Sequence, residues 1–133
     1  MSTRGEENNN PGNIRKDSTI FQGEVPGKDT SFKTFATSVM GIRAIAKILL
    51  TYFDRYGLNT IAQIISRWAP SNENNTVAYI DDVAHRSGFG SEDALDLGEP
   101  ANLVKLVSAI IWHENGEMVY TEQQIEDGVE AAY

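Results

Sequence analysis

The sequence has no cysteine, which removes disulfides, thiolate nucleophiles and cysteine metal sites from consideration. Histidine is nearly as scarce. The two present are His85 and His113, and the His113-Glu114 pair lacks the second histidine one helical turn away that a zinc protease helix requires. No stretch approaches the roughly 18 consecutive apolar residues of a membrane span, and the N-terminus lacks the basic, apolar and small-residue regions of a signal peptide. The expectation is a soluble protein made in a cytoplasm, with no membrane partner. Cationic residues are also few, 11 Lys and Arg against 19 Asp and Glu, for a net charge of -8. Residues 71 to 133 hold thirteen acids and only Arg86 and Lys105, so the clustered cations that neutralise phosphates are missing and nucleic acid is not expected as the main partner. No P-loop, dinucleotide fingerprint or GxSxG elbow occurs, and Asp93 and Asp96 fail the spacing of a calcium loop. No metal and no cofactor is expected.

What is present is a core. With 133 residues and 41% hydrophobic content, the chain can bury one, and a single domain over 1–133 is expected. Its most apolar stretch is Leu103 to Gly116, where Leu103, Leu106, Val107, Ile110 and Ile111 recur at the spacing of one buried helix face. Pro100 suits the first helical position, and Asn115 and Gly116 are residues that end helices. Glu114 stands in the last turn. Taken alone, it reads first as an exposed carboxylate at a helix end. The same position, with the carbonyl-end dipole and apolar neighbours, also disfavours ionisation, which is how a glutamic acid is kept ready to donate a proton.

Along the chain, residues 1–7 read as flexible and Asn8 to Asn13 as a structured turn, because Asn and Gly supply left-handed backbone and Asn side chains bond nearby backbone. Thr19 to Phe35 reads as a small hairpin, with Pro26 to Asp29 as its turn and Glu24 on its first strand. A long helix runs from Ser38, which can cap it, to Tyr56, a second from about Thr60 to Trp68 capped by Asn59, and a third from near Asn75 to Gly88. After the Leu103 helix, Thr121 and Gln124 have capping-box spacing and open a last helix to about Ala131. The fold class expected is α+β, mostly α, with about five helices and one small β-hairpin.

By elimination the remaining chemistry is that of carboxylates. Glu114 at a helix end and Glu24 on a hairpin would suit glycoside cleavage, one protonated to assist the leaving oxygen and the other ionised to stabilise a cation or activate water.

The runs NNNPGNIR, FQGE, SFKTF, the helix opening Gly41-Ile42-Arg43-Ala44, and SRWAPSNENNTVAYI resemble small phage and prophage virion-associated or lysis proteins of the lysozyme-like superfamily. The resemblance covers nearly the whole chain, and WAPSNENNT is its most specific piece. More distantly, the order is similar to autolysin-type and flagellar N-acetylglucosaminidases. Their NLFGIK-like turn resembles Asn10 to Arg15, their glutamate-bearing hairpin the segment holding Glu24, and their tyrosine-bearing loop and helix Asn74 to Ile80, with Tyr79 at the matching place. In those enzymes the glutamate-tipped helix precedes the turn; here seven residues precede Asn8, and AIIWHENG resembles that helix moved to the other end, as in a circular permutation.

The resemblance implies a lysozyme-like domain that cleaves the glycan strand of peptidoglycan. Glu114 is the expected acid, with Glu7 and Glu73 as substitutes, Glu24 the second carboxylate and Tyr79 an aid to substrate or intermediate. Asn10, Asn13, Arg15, Trp68 and Asn74 are the expected substrate contacts. The protein would act at the bacterial cell wall, virion-borne or free, with other virion proteins as further partners. Two rivals stand beside this reading: a virion component that keeps the fold without catalysis, and a lytic transglycosylase working through one glutamate.

Overall fold

A computed structural model describes residues 2–133. The elements in chain order are α1 (Arg4–Glu7), β1 (Glu24–Val25), β2 (Thr34–Phe35), α2 (Ser38–Tyr56), α3 (Ile61–Trp68), α4 (Thr76–Ser87), α5 (Pro100–Asn115) and α6 (Glu122–Glu130). The expected class, mostly helical with one small antiparallel hairpin, is what is found.

The helix built from the Leu103 stretch lies at the centre. On α5, Leu103, Leu106, Val107, Ile110 and Ile111 are wholly buried, and the helix touches α1, α2, α4 and α6. The second wall of the core is the face of α2 that carries Ile42, Ile45 and Leu49. Against it lies α6, brought so close at Gly128 that an added Cβ would stand 2.5 Å from the Ile42 side chain. Leu95 and Leu97 are buried and anchor the loop before α5.

Hydroxyl and amide caps set the helix starts. Thr37, Thr60, Asn75 and Thr121 each accept a hydrogen bond from the backbone N–H three residues on. Two of these caps differ from expectation by one residue: Thr37 caps α2 in place of Ser38, and Thr60 caps α3 in place of Asn59. Only the residue just outside the first helical turn has the extended backbone that aims its oxygen back at those N–H groups.

The N-terminal region departs further. Within the segment expected to be flexible, Met1 lies outside the described residues, but Thr3 and Glu6 form a capping box around the short helix α1. Arg4 then pairs with Asp29 at 2.5 and 2.7 Å, and the Ser31 and Phe32 N–H groups donate to the same carboxylate. The Arg4 guanidinium first, then those N–H groups, hold the Asp29 carboxyl well below its ordinary range.

The Asn-rich turn is structured, as predicted. Asn9 and Asn13 take left-handed backbone at φ 50° and 48°. The turn then runs beside β2, with Phe35 N–H donating to Asn8 O and Lys33 N–H to Ile14 O, both at 2.9 Å. It also lies on the start of α2, where a Cβ at Gly41 would stand 2.0 Å from Asn9 O.

Candidate active site

The last turn of α5 is fixed from the other end of the chain. Asn115 donates to Pro11 O at 2.9 Å and to Ile111 O at 2.8 Å, while the Thr3 hydroxyl donates to Asn115 Oδ1 at 2.7 Å. This pins the Asn-rich turn against the helix end and sets Asn13 beside Glu114. The Asn13 amide donates to Glu114 Oε1 at 3.0 Å, and the Tyr79 hydroxyl donates to Oε2 at 2.7 Å.

Tyr79, expected as an aid to substrate or intermediate, is 2% exposed and does not line the cleft below: the ring belongs to the core, and the hydroxyl alone reaches the glutamate. The hydroxyl also accepts from Trp68 Nε1 at 2.9 Å. Burial, and then the neighbouring Glu114 charge, push the Tyr79 phenol far above its ordinary range, so it stays a proton-bearing donor. The face of its ring is covered by His113, with centroids 3.7 Å apart, and His113 Nδ1 lies 2.7 Å from Asp82 Oδ2. Burial acts against the Asp82 charge, but the His113 and Arg86 contacts outweigh it and lower that carboxyl. Glu114 therefore has two donors aimed at it, one of them braced from behind.

Glu114 opens into a cleft of about 300 Å³. One wall is the N-terminal segment, with Gly12, Asn13, Ile14, Arg15 and Asp17, joined by Phe32. The other is Ile48 and Tyr52 of α2 with Trp68, Ala69, Glu73 and Asn74 around the end of α3. Gly12 is required on the floor, because a Cβ there would stand 2.7 Å from Ile45 and 3.1 Å from Trp68. Of the expected residues, the cleft thus gathers Glu114, Asn13, Arg15, Trp68 and Asn74.

It does not gather Glu24 or Asn10. The Glu24 carboxylate is taken up by the Lys33 ammonium at 3.0 and 3.2 Å and by the Phe21 N–H at 3.1 Å, and it is not among the groups lining the cleft. Lys33 is fully buried, and its charge must be met by carboxylates wherever the chain leads it. Asn10 is wholly buried as well: its amide donates to Ile14 O and Lys33 O and accepts from Ile14 N, leaving nothing for a ligand. It shapes the turn and no more.

Two carboxylates stand in the cleft with Glu114. Asp17, which sequence reading passed over, lies 3.0 Å from the same Lys33 ammonium. Glu73, named only as a substitute acid, lies 3.9 Å from Arg15. Glu7, the other substitute, is exposed at the end of α1 and does not line the cleft. Among the described residues no group of three or more His, Asp and Glu is placed to hold a metal ion, and no helix is long and apolar enough to cross a membrane.

Both α6 and the Asn-rich turn pack on the first part of α2, and Tyr120, just before α6, has its phenol pushed up to about 12 by burial and then by the nearby Glu6 charge.

No family model matches the chain. It is similar to protein P5 of Pseudoalteromonas phage PM2, with 43% identity over 134 aligned residues that cover 97% of this chain and 81% of P5. At that identity and coverage the chain belongs to the family of this bacteriophage protein.

Proposed function

We propose that this phage protein cleaves the glycan strand of peptidoglycan, with Glu114 as general acid. One observation carries the reading: the Glu114 carboxyl group opens into a cleft while two fixed donors, the Tyr79 hydroxyl and the Asn13 amide, set its orientation. Each oxygen accepts one of those bonds and keeps a second lone pair, so a proton on either oxygen is compatible with both. A general acid needs this arrangement, in which direction is fixed and the transferable proton stays free to reach a glycosidic oxygen.

Asp17 replaces Glu24 as the second carboxylate in this reading, with Glu73 across the cleft as the alternative. Trp68 and Tyr52 offer flat apolar faces to sugar rings, and Arg15 and Asn74 offer donors to their substituents. The meeting of α5's end with the Asn-rich turn agrees with the permuted glucosaminidase order. Action at the cell wall, from a virion or free in the cell, is part of the proposal.

Mass spectrometry of muropeptides after incubation with sacculi tests it. New reducing ends are expected. Anhydro-sugars would mean transglycosylation through Glu114 alone, and intact strands would mean a structural virion role.

Tyr79→Phe removes the hydroxyl that joins Trp68 to Glu114. Turnover is expected to fall, and stability should drop by about 1–3 kcal/mol because the Trp68 N–H loses its acceptor. Steady-state rates beside urea denaturation separate the two effects. An unchanged rate would remove Tyr79 from the mechanism.

A further inference from the structure

We infer that Arg67, which lies beside the cleft-lining Tyr52 but outside the cleft itself, forms a subsite for a carboxylate carried on the glycan; this rests on the glycan-cleaving reading and specifies what the strand must bear. Ile48 and Tyr52 line the cleft from α2, and Tyr56 continues that row one turn further, where it is exposed. Arg67 on α3 closes the row. Its guanidinium carbon lies 5.3 Å from the centre of the Tyr52 ring and 4.1 Å from that of Tyr56.

The two rings hold the guanidinium in place, and Arg67 is exposed. The other cations at the cleft are already matched, Arg15 by Glu73 and Lys33 by Asp17 and Glu24. Arg67 has no carboxylate within ion-pair distance among the described residues, although the chain carries an excess of acids. The cleft presents Glu114 together with Asp17 and Glu73, whose charges Lys33 and Arg15 already meet, and beyond Tyr52 stands Arg67, an unmatched planar cation that suits a carboxylate bidentately. A neutral sugar backbone with an acidic peptide on alternate residues fits both the cleft and Arg67 at once. A neutral N-acetylglucosamine polymer would use only the first.

The test measures binding by calorimetry in the Glu114→Gln background, so that neither ligand is consumed. Two probes are compared: glycan fragments bearing acidic stem peptides, and neutral N-acetylglucosamine tetramers. Adding Arg67→Gln should weaken the acidic fragments about tenfold or more, the usual scale of a charge-assisted hydrogen bond, and leave the tetramer unchanged. Arg67→Lys should recover part of the loss and keep the salt dependence that Arg67→Gln abolishes. Equal weakening of both probes, or of neither, overturns the subsite while leaving glycan cleavage intact. If the Glu114→Gln parent binds neither probe, the glycan reading and the subsite fall together.

Discussion

Glu114→Gln is expected to lower the rate of sacculus cleavage by about a hundredfold to ten-thousandfold, the usual contribution of a general acid. That is about 3–5 kcal/mol of lost transition-state stabilisation. The substitution is close to isosteric. One complication is local: a Gln side chain presents an amide nitrogen to either Tyr79 or Asn13, both of which donate to the glutamate. Asn13 can absorb this by turning its own amide, since its Oδ1 is buried without a hydrogen-bond partner. Folding and glycan binding should therefore survive while turnover is lost. Reducing-end release by the purified variants is the measurement. Activity retained in Glu114→Gln but abolished in Asp17→Asn or in Glu73→Gln would move the acid to that residue.

The largest effect on stability is expected from Lys33→Met. The Lys33 side chain is wholly buried, and its ammonium donates to Thr19 O at 2.7 Å, lies 3.0 Å from Asp17 and holds both oxygens of Glu24. Glu24 itself is only 14% exposed. Without the ammonium its charge keeps the Phe21 N–H as a partner and little access to water, so the cost should be about 3–5 kcal/mol. For a domain whose whole stability is about 5–15 kcal/mol, that is a large share. Urea midpoints should show it, and the pair Lys33→Met with Glu24→Leu should recover most of it, because an apolar pair needs no compensation. A single-variant loss below about 1 kcal/mol would mean that water reaches Glu24 and that the pair contributes little.

Lys33 also shows where sequence reading stops. The limits of α2 were legible to the residue, because a hydroxyl at its start, a long apolar stripe and Gly57 agree, although the cap itself is Thr37 and not Ser38. The last helix was legible for the same kind of reason, through Thr121 and Gln124. The helix α1 was missed because four residues carry no periodicity, although Thr3 and Glu6 had the capping-box spacing. At the site, periodicity led to Glu114, and resemblance led to Tyr79 and Asn13. Nothing in one dimension says which carboxylate a buried lysine will take, and so Glu24 was assigned to the cleft and Asp17 overlooked. The bracing of Tyr79 by His113 and Asp82 was equally hidden, since it depends on α4 lying beside α5.

The bonds that aim Glu114 join residues about a hundred positions apart: Asn13 to Glu114, Pro11 to Asn115, and Thr3 to Asn115. Such contacts close the longest loops in the chain and are the last that folding can reward. Glu114 is therefore expected to gain its direction late, after the core around α5 has formed, and to lose it early. A transient opening of the N-terminal turn, well short of global unfolding, leaves a glutamate at a helix end with one of its two donors gone. On the proposed reading, glycan cleavage would thus report on whether the N-terminal turn and the end of α5 are in contact at that instant.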